Sequence, residues 1–130
     1  MEAQILTPDG SVFDDEVIGF QAPGSKGSFE IKLNHANLTS TLDVGRVRAR
    51  HVNEQEEFFA VSGGFLEVID NKISVIAEAA EKAQEIDVDR ARQAKERAED
   101  RFGEKDMDQD RAYKAWLRAE NRLKIAASGR

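Results

Sequence analysis

Hydrophobic spacing changes once along this chain, near residue 86, and that change limits the folds open to it. Before it, "SVFDDEVIGF", "VGRVRARHV", "EEFFAVSGGFLEVID" and "KISVIAE" alternate with period two and are rich in Val, Ile and Phe, as half-buried strands are. Pro8-Asp9-Gly10, Pro23-Gly24, Gly63-Gly64 and Asp70-Asn71 separate them. Each supplies a fixed φ or tolerance of positive φ, which a tight turn needs. Short strands closely spaced by such turns predict a β-sandwich or barrel. Phe13, Val17, Ile31, Val47, Phe59, Val61, Phe65, Val68, Ile73 and Val75 are its expected core. Arg46, Arg48 and Arg50 share one face of a strand. They lie in an acidic stretch without an aromatic platform, which suits a solvated sheet face better than a nucleic-acid surface.

After the change the period is helical. Residues 73–86 lead out of the last strand into an Ala/Glu-rich stretch. Asp87 is an expected N-cap and Asp89 adds negative charge to the first turn, where the helix dipole favours it. The stripe Ala91, Ala94, Ala98, Phe102 follows, and Gly103 is an expected stop. Residues 104–110, "EKDMDQD", read as a polar turn. A second stripe, Ala112, Trp116, Ala119, Leu123 and Ala126, has spacings of four, three, four and three. Two helices of similar length joined by a short turn predict an antiparallel hairpin. The expected architecture is therefore α+β. Residues 1–85 form a β-sandwich and residues 86–130 a two-helix hairpin. Alanine favours helix but buries little area, so the hairpin should form readily and dock weakly.

Composition narrows the function classes. The chain has 130 residues and no cysteine, which removes disulfides and thiolate metal sites. Its opening "MEAQILTPDG" gives no expectation of a secretory leader, and no window approaches the ~20 apolar residues of a membrane-spanning helix. Residues 1–85 hold 7 basic against 15 acidic side chains, and residues 86–130 hold 12 against 10. Such asymmetry suggests two parts with different tasks. His35 and His51 are far apart, and no metal motif, phosphate loop or nucleophile elbow is present. The expectation is a non-enzyme with no metal site. Residues 86–130 offer only Phe102, Tyr113 and Trp116 as aromatics, a poor platform for nucleic acid.

Four stretches, in order, carry a resemblance: "LTPDGSVFDDEV", "PGSKGSFEIKLNHANL", "VSGGFLEVIDNKISVIAE" and "EIDVDRARQAKERAE". Together they resemble the epsilon subunit of the bacterial F-type ATP synthase, over essentially the whole chain. The resemblance implies a sandwich of about ten strands and a C-terminal hairpin. It also implies a place in the rotating central stalk of a proton- or sodium-translocating enzyme, where the sandwich joins the gamma subunit to the c-ring. The implied location is the cytoplasmic side of the bacterial plasma membrane, reached only through the complex. The hairpin is implied to inhibit ATP hydrolysis when it extends along gamma toward the catalytic subunits. A hairpin with two docking states must not be too stable in either, and the alanine stripe suits that need.

The implied ring-contact loop starts at Glu30, Ile31, Lys32, Leu33, Asn34 and His35 and runs to Leu38. Asn34-His35-Ala36 keeps the family pattern. Glu30 stands where a glycine is usual, and Leu33 and Asn37 stand where prolines are usual, so the loop loses its usual stiffening.

The resemblance further implies a nucleotide motif, complete here as Ile86, Asp87, Arg90 and Ala91, with Arg97, Arg118 and Arg122 as further arginines. Convergent guanidinium groups suit phosphates, and ATP would be a regulatory ligand, with no cofactor required. The same residues admit another reading, Asp87 as a cap and the arginines as surface ion pairs. In the extended state Arg111, Lys114, Arg118 and Arg122 are implied to face an acidic segment of the beta subunit, competing with ATP. An alternative function is a stand-alone ATP-binding module without a rotor role.

Overall fold

A computed structural model describes residues 1–105 and 108–128. Asp106 and Met107 of the expected polar turn lie outside the described residues, as do Gly129 and Arg130 at the end of the expected hairpin. Seven strands come first: β1 (Glu2–Thr7), β2 (Gly10–Gly24), β3 (Gly27–Lys32), β4 (Leu38–His51), β5 (Glu56–Ile69), β6 (Lys72–Ala77) and β7 (Ala80–Lys82). A single 3₁₀ turn (Ala83–Glu85) leads to α1 (Val88–Asp100) and α2 (Gln109–Ser128).

The strand order β1-β6-β5-β4-β2 closes on itself because β1 pairs with β6 on one side and with β2 on the other. β3 extends the sheet beside β2, and β7 pairs with β5. The result is a flattened, closed sandwich, which removes most exposed strand edges. The count of seven among the described residues corrects the expected ten. Three strands are 14 or 15 residues long, and each crosses from one layer to the other without a break. β2 shows this directly: its first half pairs with β1 and its second half with β3 and β4.

The same crossing corrects the core. Phe13, Val17, Ile31, Val47, Phe59, Val61, Val68, Ile73 and Val75 are buried as expected, but Phe65 is 58% exposed. In β5 the inward residues are Phe59 and Val61, then Leu66 and Val68. The inward face changes parity at Gly63-Gly64, both at positive φ. A Cβ on Gly64 would sit 2.1 Å from the Ile76 carbonyl oxygen, so the crossing needs a residue without a side chain. Beyond it, Phe65 faces outward opposite Ile76 of β6.

β7 and the 3₁₀ turn occupy part of the stretch read as leading out of the last strand. They carry the chain to the hairpin. The helices are not of similar length: α1 has 13 residues and α2 has 20. Ala91, Ala98, Ala112, Ala119 and Ala126 are buried, whereas Trp116 and Leu123 are half-buried and Phe102 is 42% exposed. Phe102 lies beyond the end of α1 at Asp100, where the helical period no longer directs a side chain. Gly103, at φ 84°, turns the chain away. The Gln109 side chain then closes the connection, donating to the Arg101 and Glu104 carbonyls and accepting from the Gly103 amide.

A second, smaller apolar cluster joins the two parts. Ala60 of β5, Ala83, Ile86, Ile125 and Ala126 form it, with Phe58 and Val88 at its edge. That explains why Phe59, Ala60 and Val61 are buried in succession: the outer face of β5 lies under α2 here. Ile86 and Ile125 supply most of the area, roughly 1.5–3 kcal/mol each, and the three alanines little.

Candidate functional site

A cleft of about 570 Å³ opens where the hairpin meets the sandwich. One wall comes from the sandwich: Asp9 of the β1–β2 turn, Ala60, Val61 and Ser62 of β5, then Ala79, Ala80 and Glu81 around β7. The other comes from the helices: Arg90 and Ala94 of α1, with Ala115, Arg118, Ala119, Asn121 and Arg122 of α2. Arg118 and Arg122, four residues apart, share one helix face. Three guanidinium groups from two helices thus converge over a floor of small apolar side chains. Guanidinium groups beside small apolar side chains are suited to anionic groups.

The cleft's polar groups are held differently. Arg122 Nε and Nη2 both reach the Glu81 carboxylate, a two-pronged ion pair between α2 and β7. Beside it, Asn121 Nδ2 donates to the Gly45 carbonyl at 2.9 Å. These two contacts and the second apolar cluster dock α2 on the sandwich. Arg90 and Arg118 form no ion pair among the described residues. Within the hairpin, Lys95 Nζ meets Glu120 at 2.7 Å and lies 5.9 Å from the Trp116 ring centroid. The hydrogen bond from Lys95 holds the Glu120 carboxyl below its ordinary range, against a smaller opposing effect of burial. Reciprocally, Glu120 raises Lys95.

Of the expected nucleotide residues, Arg90, Arg118 and Arg122 meet in the cleft, and the other four stand elsewhere. Ile86 is buried in the second apolar cluster, and Ala91 is fully buried. Asp87 caps α1, its Oδ1 accepting from the Arg90 amide at 3.0 Å. Arg97 is exposed and does not line the cleft. Arg111 and Lys114 are exposed near the start of α2, where Lys114 pairs with Asp110 at 3.2 Å. Asp9, Ser62 and Glu81 escaped the sequence reading. Asp9 reads as a turn residue and Glu81 as part of an Ala/Glu-rich stretch, because nothing in the one-dimensional pattern places either in a cleft shared with Arg118.

The expected ring-contact residues lie at the far end of β3. Glu30 is half-buried and pairs with Arg48 at 3.5 Å. Ile31 is fully buried in the sandwich core. Lys32, Leu33, Asn34 and His35 are exposed. Asn34, at φ 63°, donates its backbone amide to Asn71 Oδ1 at 2.7 Å, while Asn71 Nδ2 donates in return to Asn34 Oδ1 at 3.1 Å. Asn37 Oδ1 accepts from the Asp70 amide at 3.0 Å. Cross-loop amide bonds to the β5–β6 turn thus hold the loop where prolines would stiffen it. Elsewhere, Arg48 and Arg50 pair with Glu56, and Arg46 lies over the Phe58 ring. No group of three His, Asp or Glu able to hold a metal occurs among the described residues.

A closed β-sandwich carrying a lightly docked helical hairpin, with a charged cleft at the junction, defines a subunit built around two parts. The family pattern "ATP synthase, Delta/Epsilon chain, beta-sandwich domain" matches residues 1–83. That of the "long alpha-helix domain" of the same chain matches residues 84–127. The ATP synthase epsilon chain of Desulfitobacterium hafniense (strain Y51) is 40% identical over 124 residues, covering 95% of this chain and 93% of that one. A chain in the Euglena gracilis mitochondrial ATP synthase, OSCP/F1/c-ring in rotational state 1, superposes with a TM-score of 0.71 at 19% identity. That match covers 96% of this chain and 76% of the other. A chain of the Tetrahymena thermophila mitochondrial ATP synthase central stalk and c-ring gives a TM-score of 0.62 at 18% identity, covering 97% and 96%. The chain belongs to the epsilon-chain family of ATP synthase. No helix among the described residues is long and apolar enough to cross a membrane.

Proposed function

We propose that this chain is a non-catalytic rotor subunit whose hairpin restrains ATP hydrolysis and whose cleft senses ATP. The sandwich would join gamma to the c-ring, using the exposed residues Lys32, Leu33, Asn34 and His35 at the ring. The complex would hold it peripherally on the cytoplasmic side of a bacterial plasma membrane. The observation that carries the regulatory reading is the cleft itself. Arg90, Arg118 and Arg122 converge against sandwich residues, so a phosphate ligand there touches both parts at once.

A ligand that binds only the docked hairpin stabilises that state by its differential affinity. At a ligand concentration of ten times the dissociation constant this is about 1.4 kcal/mol, a useful bias against a docking surface built on two isoleucines, one ion pair and one hydrogen bond. Release would free Arg118 and Arg122, with Arg111 and Lys114, for an acidic partner surface on the beta subunit. Because two of these arginines serve both uses, ATP binding and inhibition would exclude each other.

Calorimetric titration of the full chain with ATP tests this reading. The expected result is a micromolar to low-millimolar dissociation constant, weakened about tenfold or more in Arg90→Ala and in Arg118→Ala, as loss of a charge-assisted hydrogen bond implies. No heat at millimolar ATP would remove ATP from the proposal. The arginines would then keep only their ion-pair and partner roles.

A further inference from the structure

We propose that Asn71, on the β5–β6 turn, is the positioning residue of the loop between β3 and β4, whose exposed residues include Lys32, Leu33, Asn34 and His35. The proposal rests on the reading that this loop meets the c-ring, and it adds the device that gives the loop one shape. It begins from the loop's own sequence. Residues 30–38 contain neither glycine nor proline, yet the backbone turns sharply within them. The His35 amide donates to the Lys32 carbonyl at 3.2 Å, and Asn34 between them stands at φ 63°. Positive φ at the third residue alone is the pattern of a type II turn, which favours glycine there and proline just before it. Here those two positions hold Asn34 and Leu33. Asparagine visits the left-handed region without being confined to it, and leucine leaves φ unfixed. Local sequence therefore does not select this turn.

What selects it comes from the neighbouring hairpin. Asp70 and Asn71, at φ 48° and 63°, are the two-residue loop between the paired Ile69 and Lys72, a type I′ turn. That turn fixes the Asn71 backbone independently of the β3–β4 loop. From this anchored place the half-buried Asn71 side chain accepts from the Asn34 amide at 2.7 Å and donates to Asn34 Oδ1 at 3.1 Å. One residue thus holds both the backbone and the side chain of Asn34. Close by, the Asp70 amide donates to Asn37 Oδ1 at 3.0 Å. Among the described residues, these three are the side-chain hydrogen bonds that tie residues 33–37 to another element. Asn71 makes two of them. It need touch no partner itself: it holds Asn34, and with it the exposed Leu33 and His35 on either side. A loop ordered before docking loses less conformational entropy when it docks.

The test uses Asn71→Gly. Glycine keeps positive φ and suits an Asp-Gly type I′ turn, so the clasp is lost while the hairpin stays, and the melting temperature should not fall. Hydrogen exchange of the full chain should show the Asn34 and His35 amides exchanging about tenfold faster, as the loss of two hydrogen bonds implies, with β5 and β6 unchanged. In a synthase reconstituted into vesicles, ATP-driven ion pumping per ATP hydrolysed should fall several-fold. Leu33→Pro added to Asn71→Gly should restore most of the pumping, because proline presets φ at the second turn position and replaces neither bond. A merely structural role would lower the melting temperature and would gain nothing from a change at residue 33. Leu33→Asp combined with His35→Asp, both on the exposed loop, tests the ring reading separately. If that combination uncouples pumping and Asn71→Gly does not, the inference is overturned and the ring contact stands. Loop exchange in Asn71→Gly equal to that of wild type would overturn it equally. If no variant affects pumping, the ring reading falls and the inference falls with it.

Discussion

Asp87 stands where α1 begins and also in the proposed nucleotide motif. Its Oδ1 accepts the Arg90 amide, so replacing it with alanine should destabilise the first turn by about 1 kcal/mol. Serine keeps the cap without the charge. Asp87→Ser should therefore retain the helicity that Asp87→Ala loses, measured by circular dichroism of the full chain. If ATP binding falls in both, the carboxylate itself meets the ligand. If binding follows helicity, Asp87 acts only by holding Arg90 in place. Single residues also set what the sequence could disclose. The cap, the alanine stripe and Arg118 with Arg122 are local features, and spacing exposes them directly. Phe65 misled because its side is decided by the parity change at Gly63-Gly64, which depends on the layer crossing rather than on neighbours in the chain. Asp9 and Glu81 were illegible for a related reason. Their importance lies in facing residues far along the sequence.

The two helices hold each other through the alanine seam and, among the described residues, one cross-helix ion pair, Lys95 with Glu120. Glu120 is lowered in the folded hairpin by the Lys95 hydrogen bond. Its contribution is therefore complete above the ordinary carboxylate range and lost as pH falls through the lowered value. Lys95 is raised by the same bond, so its contribution is complete below the ordinary lysine range and lost as pH rises through the raised value. Across neutral pH the pair should add no pH dependence. Thermal melts followed at the helical band should show an acid decline that is shallower in Glu120→Gln, with a slightly lower plateau. An acid limb identical to wild type would mean that the pair contributes nothing. The period change near residue 86 made the strands and helices legible as kinds of element. It could not show that β7 and a 3₁₀ turn precede the hairpin, since three-residue elements carry too little periodicity to register. Nor could it show that α2 outruns α1 and supplies most of the docking.

Among the described residues, two separate apolar clusters organise the molecule. The larger fills the sandwich, and the smaller sits between β5, the 3₁₀ turn and α2. No residue belongs to both, so the hairpin should come away without unfolding the strands, as the proposed regulatory role requires. Ala126, 4% exposed within the smaller cluster, gives the means to test this. Ala126→Asp would place an unpartnered charge there, at a cost on the order of 3 kcal/mol or more, while Ala127→Asp on the exposed neighbour serves as control. Hydrogen exchange of the full-length variant should show α2 losing protection while the amides of β2, β4 and β5 keep theirs. ATP binding should weaken with undocking, because the cleft needs both walls. In a reconstituted synthase the variant should inhibit hydrolysis more strongly than wild type, its hairpin being free to extend. If strand amides lost protection in step with α2, the sandwich and hairpin would be one cooperative unit, and a hairpin that moves on an intact sandwich would have to be abandoned.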